Sequence, residues 1–360
     1  MPARQRRTRA TRLSADAGAC RSAVAIAICV PARDEAARLP RLFEAVDRLQ
    51  VPAGASVSLC LLLDGCIDGS AAIAAAYARR ARHGVHVGAV EHSAANAGVA
   101  RHRAMLLGAE TLSAPGDVLM TTDADSWPNP AWLHATVAAL DRADLVAGDV
   151  IRNGAGAHPD QDRIEAYYAR LFSLRRLIDP VEWEAPVTHH HTSGANMAMR
   201  ADTYAALGGF PALVSGEDAR LVDEASRAGL HVRRDAASVV HTSGRRRGRA
   251  LGGLAATLHA LDHDGVGSVR VAHPADQLWQ YRAHALARRV FLQRDLSSLS
   301  EAIGLDADHL VGVARDCPNA EAFAMRVVPV PPGGMRQVSL AAAETVLATL
   351  TASLSSAQAA

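Results

Sequence analysis

The sequence predicts an α/β protein, with a mixed, mainly parallel sheet flanked by helices and a helical C-terminal region. Three observations lead there. Between residues 23 and 151, short apolar runs alternate with stretches of helical spacing. Three of those runs end in acidic or turn-rich loops, "PARDE", "DGCIDGS" and "DADS". Beyond about residue 250 the chain becomes rich in Ala and Leu, broken only by "HPAD", "DCPNAEAF" and "VVPVPPGG". Strand–helix alternation is the pattern of a parallel sheet whose crossovers are helices.

"AVAIAICVPA" (23–32) is a continuous apolar run, as expected of a strand buried on both faces, and Pro31 closes it. "DEAARLPRLFEAVDRLQ" then sets Leu39, Leu42, Phe43, Val46 and Leu49 on one helical face. "SVSLCLLLDGCIDGS" (56–70) is a second strand running into a polar turn, followed by the helical "AAIAAAYARRAR". "VHVGAVEH" (85–92) is a third strand and "AGVARHRAMLLGAETL" its helix. "DVLMTTDAD" is the fourth strand, "PAWLHATVAALDR" a helix, and "ADLVAGDVI" the fifth strand. Next, "HTSGANMAMRADTYAALGGF" (191–210) holds a small-residue turn, a short apolar run and a helix ended by Gly208 and Gly209. "SGEDARLVDEASRAGL" (215–230) is a helix with Glu217 and Asp218 in its first turn, where the helix dipole favours acids. "VRRDAASVVHTSGRRRGR" (232–249) gives a strand, then His241 and a dense Arg cluster. "QVSLAAAETVLATLTASL" is the last helix.

A chain of 360 residues accommodates one large domain with an appendage, or two domains. The expected division is a disordered basic tail over 1–22, an α/β domain over 23–250 and a helical region over 251–360. A signal peptide is the alternative for the tail, disfavoured because "PARDEAARL" follows the apolar segment without a small-residue cleavage pattern. A net charge of +1 gives no reason to expect nucleic acid as a partner. All 38 basic side chains are Arg, which excludes mechanisms that need a Schiff-base or P-loop lysine. The five cysteines are odd in number and scattered, which points to a reducing, cytoplasmic setting rather than a disulfide framework. No run reaches the roughly 18–20 apolar residues of a transmembrane helix. Neither G-x-G-x-x-G nor G-x-S-x-G occurs, which disfavours dinucleotide enzymes and ordinary α/β hydrolases.

Sites of open α/β sheets lie at the carboxyl ends of the strands, where the three acidic loops gather. Asp123 and Asp125 point the same way along an extended strand. Two such carboxylates repel unless a cation or proton lies between them, so either a metal belongs there or the segment is a solvated turn.

"AIAICVPARDEAARLPRL", "LLLDGCIDGS", "DVLMTTDADSWPNPAWL", "GANMAMRADTYAALGGF" and "GEDARLVDEASRAG" resemble, in order, the successive motifs of family-2 glycosyltransferases with the GT-A fold, over roughly residues 23–250. The resemblance implies a nucleotide-sugar donor, with UDP the expected nucleotide, lying across the sheet edge. Pro31, Ala32, Arg33 and Glu35 would border the base and ribose, and Asp64 would accept from the uracil imide. Asp123 and Asp125 match the family's D-x-D and would hold Mg²⁺ or Mn²⁺, Asp125 touching the metal and Asp123 the ribose or a metal-bound water. Asp218 matches the catalytic base of an inverting transfer, with Glu217 the competing candidate. Leu63, where the family often has another aspartate, and Glu224, where it often has Arg, depart from the pattern.

Several assignments stay open on sequence alone. His241 could be a third metal ligand with Arg245 and Arg246 clamping the diphosphate, or these residues could form a solvated basic loop. Arg101 could contact the donor or lie on a helix surface. The consecutive His189, His190 and His191 are disfavoured as a metal cluster, because three neighbours do not readily face one ion; they are expected to line the acceptor side, with Asn196 near the sugar. The C-terminal helices are expected to pack on the transferase domain; covering the acceptor cleft, pairing subunits into a homo-oligomer and touching a membrane surface are the other roles considered. Against inverting transfer stand a retaining transferase of the glycosyl-glycerate type, a nucleotidyltransferase, and a decayed nucleotide-sugar binding protein.

Overall fold

In the computed structural model, residues 24–91, 95–153, 159–244, 261–293 and 295–359 are described. An eight-stranded sheet runs in the order β3-β2-β1-β4-β7-β6-β8-β5. Its strands are β1 (Ala25–Ala32), β2 (Ser56–Asp64), β3 (Gly84–Val90), β4 (Val118–Thr121), β5 (Ser126–Pro128), β6 (Leu145–Asn153), β7 (Met197–Arg200) and β8 (Val232–Ser243). β3, β2, β1 and β4 are mutually parallel, β7 is antiparallel to both β4 and β6, and β5 is antiparallel to β8. The sheet is thus mixed and largely parallel. The fourth strand stops at Thr121 rather than continuing through Asp125; Asp123 and Asp125 sit in the link to β5.

Helices α1 (Leu39–Asp47), α2 (Ser70–Ala78), α3 (Ala97–Ala109), α4 (Trp132–Leu140), α5 (Pro159–Ile178), α6 (Ala201–Leu207) and α7 (Glu217–Arg227) accompany the sheet. Alternation along the strands sorts the core into two layers. Ile26, Ile28 and Val30 of β1 and Leu59, Leu61 and Leu63 of β2 pack with Leu42, Phe43 and Trp132 of α1 and α4. Ala27, Cys29, Cys60 and Leu62 point the other way, to Met105 of α3, Tyr204 of α6 and Leu221 of α7. A strand covered on both faces has no polar side, hence the uninterrupted apolar runs.

Beyond the sheet lie β9 (Arg270–Ala272), α8 (Pro274–Gln293), α9 (Ser297–Ile303), α10 (Ala307–Asp316), α11 (Ala320–Val327), β10 (Gln337–Ser339) and α12 (Leu340–Ala359). The β9–β10 pair is antiparallel, an addition to the all-helical expectation. Leu278 of α8 and Leu340 and Leu347 of α12 share a core with Ile164, Tyr167 and Leu171 of α5. Arg288 of α8 pairs with Asp179, just past α5, and with Glu321 of α11. Asn319 and Arg326 donate to the main-chain oxygens of Gly229 and Arg227 at the end of α7. The helical region therefore packs on α5 and α7. Among the described residues, no helix is long and apolar enough to cross a membrane.

Candidate active site

The carboxyl ends of β1 and β2, the β4–β5 link and the start of α3 meet around one cavity of about 170 Å³. Pro31, Ala32, Arg33, Glu35, Asp64, Arg101, Asp123 and Asp125 all line it. The N-terminus of α3 faces it through Ala95, Asn96 and Ala97. Asn96 caps that helix, its side chain accepting from the Val99 N–H at 2.9 Å. A helix N-terminus carries positive partial charge, so this wall suits an anion even though the Val99 and Gly98 N–H groups are already bonded. Gly98 permits it: a Cβ there would lie 1.9 Å from the Pro211 carbonyl oxygen, while its N–H donates to Leu213 at 2.9 Å.

The loops after β1 and β2 clasp each other. Asp34 has φ +52°, in the left-handed region, and its carboxylate accepts from the Ile67 N–H at 2.8 Å. The Glu35 N–H donates to the Ser70 hydroxyl at 3.0 Å and the Ala36 N–H to Asp68 at 3.0 Å. Cys66 donates its thiol hydrogen to the Ala32 carbonyl at 3.2 Å, and burial pushes its pKa up. Arg33 donates to the Asp64 carbonyl at 2.9 Å and lies 3.2 Å from its carboxylate. Leu63 is buried in the core below.

Arg101 is the centre of the site rather than a helix-surface residue. Its guanidinium, 7% exposed, donates to Glu217 at 3.1 Å, Thr121 at 3.1 Å and the Gly194 carbonyl at 2.8 Å, and lies 3.0 Å from Asp123. It ties α3, β4, the turn before β7 and the start of α7 to one cation. Burial alone would lower its pKa, but Asp123 and Glu217 outweigh that and hold it above the ordinary Arg value. The Glu217 pKa is raised as well, but by burial, with Arg101 only partly offsetting. Asp218 is less buried, and its carboxylate accepts the Gly194 N–H at 3.0 Å. The two neighbours diverge as adjacent helical residues must: Glu217 turns inward to Arg101, and Asp218 toward the Gly194 turn.

The Asp125 carboxylate accepts from the Ser243 hydroxyl at 2.6 Å. Together with Asp123 it supplies the oxygen donors that Mg²⁺ or Mn²⁺ prefers, so these two residues fit such an ion. His241 is placed differently. Its Nδ1 is 2.8 Å from the Asn153 amide and its ring stacks on Trp127. Among the described residues, Asp123, Asp125 and His241 do not bring three ligand atoms within 4.8 Å of one another. Arg245 and Arg246 lie outside the described residues.

Asn196 does not face the cavity. It is 1% exposed, and its amide donates to the carbonyls of Asp149 and Ser238 while its oxygen accepts from Trp132 at 2.8 Å. It fastens β7 to β6, β8 and α4. The three histidines do not all converge on one point, as expected, because residues 188–193 are irregular with a bend at His190. His189 and His191 turn to one side with ring centroids 4.3 Å apart, and His190 stacks on Tyr168 of α5.

Residues 27–203 match the family model described as glycosyl transferase family 2. This segment belongs to glycosyl transferase family 2. The glycosyltransferase is also similar, in outline, to three solved structures. TarS of S. aureus in complex with UDP-GlcNAc is 14% identical, with 85% of this chain and 90% of that chain covered at a TM-score of 0.47. The mannosyltransferase PcManGT from Pyrobaculum calidifontis, with GDP-Man and Mn²⁺, is 16% identical over 92% and 76% at 0.47. GalNAc-T7 with UDP, GalNAc and Mn²⁺ is 16% identical over 87% and 59%, also at 0.47. Curated proteins give no match.

Sequence reasoning missed Asn96, Thr121, Gly194 and Ser243 in the glycosyltransferase. Asn96 had a legible signal, an Asn directly before a helical stretch. The other three act through the fold: Thr121 and Gly194 matter only because Arg101 reaches both, and Ser243 only because β8 ends beside Asp125.

Proposed function

We propose that the protein transfers a sugar from a nucleoside-diphosphate donor, UDP-linked, to an acceptor hydroxyl with inversion at the anomeric carbon. The observation carrying this reading is the convergence of Asp64, Asp123, Asp125 and the α3 N-terminus on one cavity. That cavity is smaller than the roughly 300–1,000 Å³ typical of sites enclosing a whole ligand, so it suits part of the donor. Asp64, braced by Arg33, accepts the imide N–H of the base. The diphosphate lies beside the α3 N-terminus, whose positive partial charge favours an anion. A divalent Mg²⁺ or Mn²⁺ at Asp123 and Asp125 would stabilise the diphosphate as it leaves.

Arg101 holds Asp123, Glu217 and Gly194 in fixed relation. Asp218 takes the proton of the acceptor hydroxyl as that oxygen bonds to the anomeric carbon and the carbon–oxygen bond to the diphosphate breaks. Glu217, buried and paired, is the positioning partner of Arg101 rather than the base.

Purified protein with Mn²⁺ is expected to gain thermal stability from UDP or a UDP-sugar and to release UDP with acceptor present. Asp125→Ala should lower turnover by about 10³-fold, the scale of removing one charge-stabilising group from a transition state, and leave the fold intact. An Asp125→Ala enzyme as active as wild type would overturn the metal reading. A product with the donor's own anomeric configuration, read from its proton coupling constant, would replace inversion by retention.

A further inference from the structure

Outside the cavity, the segment after α5 gathers three histidines and two carboxylates. Asp149, His189 and His191 bring one ligand atom each within 4.8 Å of one another, as do Glu165, His190 and His191. The first group holds an unusual nitrogen. His189 Nε2 lies 3.1 Å from the Ala147 carbonyl, which can only accept, so that nitrogen carries the proton. Nδ1 is therefore left with a lone pair; it is buried and has no hydrogen-bond partner among the described residues. A buried acceptor without a donor costs on the order of 1–3 kcal/mol, and a cation would remove that cost. An imidazole whose second nitrogen donates to a main-chain carbonyl is also the arrangement that orients histidine metal ligands.

The spacing of the other two groups agrees. His191 Nε2 and Asp149 Oδ1 are 3.2 Å apart. Ligands roughly 2.0–2.2 Å from a tetrahedral ion lie about 3.3–3.6 Å from one another, so this pair need open only slightly to admit one. The sheet makes room for the group. Between Gly148 and Asp149 the β6–β8 register jumps, pairing Gly148 with Asp235 and Asp149 with Val239. At that irregularity Ala147 lends its carbonyl to His189, and the Val150 N–H donates to His191 Nε2 at 3.3 Å, a long bond that an ion on that nitrogen would replace.

We infer that Asp149, His189 and His191 form a site for a zinc-class divalent ion, with the fourth position open to water. Imidazole donors select zinc, cobalt or nickel over magnesium and calcium, so the site differs in kind from the all-oxygen pair Asp123 and Asp125. Glu165 and His190, 2.9 Å apart, tie the same segment to α5. The ion clamps residues 188–193 onto β6, its last ligand His191 three positions before the Gly194 turn that Arg101 and Asp218 both hold.

The test uses untagged full-length protein, stripped with chelator and titrated with Co²⁺. A tetrahedral site gives visible absorption that saturates at one equivalent, is abolished by Zn²⁺ and survives excess Mg²⁺. Asp125→Ala should leave this signal unchanged, which separates it from the proposed donor site. His189→Gln should weaken Co²⁺ by more than about tenfold, because a ligand is worth at least what its orienting partner is. If His189→Gln does not fold, Asp149→Asn and His191→Gln carry the same expectation. Wild-type protein without the visible band, a folded ligand variant that keeps it, or its loss in Asp125→Ala would each overturn the inference.

Discussion

The carboxylates around Arg101 and those around the histidine segment are two solutions to crowding of like charge. In the first, Asp123 and Glu217 share a cation supplied by the chain, and three hydrogen bonds hold its guanidinium in place. In the second, Asp149 and Glu165 face imidazoles, which are cationic only when protonated, and one ring nitrogen lacks a partner among the described residues. A fixed guanidinium sets geometry permanently; an imidazole instead presents a nitrogen lone pair that an external ion can take. The same fold thus carries a self-neutralised centre and one that depends on its surroundings.

Removing the internal cation is the harshest way to break this comparison. Arg101→Met should destabilise the protein by about 3–5 kcal/mol in denaturant unfolding, since it strands the buried Glu217 and uncovers Asp123. Adding Glu217→Gln should restore part of that loss; a double variant no more stable than the single one would show that the pair is not the cause.

Acid sharpens the comparison from another side. His284 of α8 is a buried histidine among fixed cations: burial, then Arg288, Arg227 and Arg175, push its pKa down to about 4. Its folded value lies below the ordinary 6.5, so the unfolded chain takes the proton first. Stability is complete above about pH 6.5 and falls as pH drops toward 4, by up to about 3 kcal/mol from this residue. His284→Gln should flatten unfolding free energy against pH in that window; an unchanged slope would assign the acid sensitivity elsewhere.

The smallest effect tests how tightly the guanidinium is held. A Cβ on Gly194 would lie 2.4 Å from the Arg101 Cζ and Nε, and that side chain is pinned on several sides. Gly194→Ala should cost about 1–3 kcal/mol by overpacking. A neutral result would mean that Arg101 can shift without loss.

Much of this was legible in the chain and some was not, for physical reasons. The parallel strands announced themselves because both faces are buried, and the cavity walls because Asp64, Asp123 and Asp125 sit at strand ends. Strand β7 was visible only as a short apolar run, since its antiparallel insertion between β4 and β6 is a property of the sheet. Arg101 was ambiguous because one helix position does not reveal what four other segments bring to it. Asn196 misled for the same reason: its polarity is spent inside the fold on Trp132, Asp149 and Ser238. The histidines were read by the rules of regular structure, and the irregular stretch they occupy brings them together in pairs, His189 with His191 and His190 with His191, rather than all three at once.

The left-handed backbone at Asp34 bears on how this wall of the cavity can change over time. A residue other than glycine held at φ +52° needs its neighbours to keep it there, and the Ile67 N–H does so through the aspartate's own carboxylate. Glycine would relax the torsion and lose the tether; a branched residue would lose both. Drift at this position is therefore narrow, and the clasp between the loops after β1 and β2 constrains that cavity wall more tightly than side-chain packing alone would.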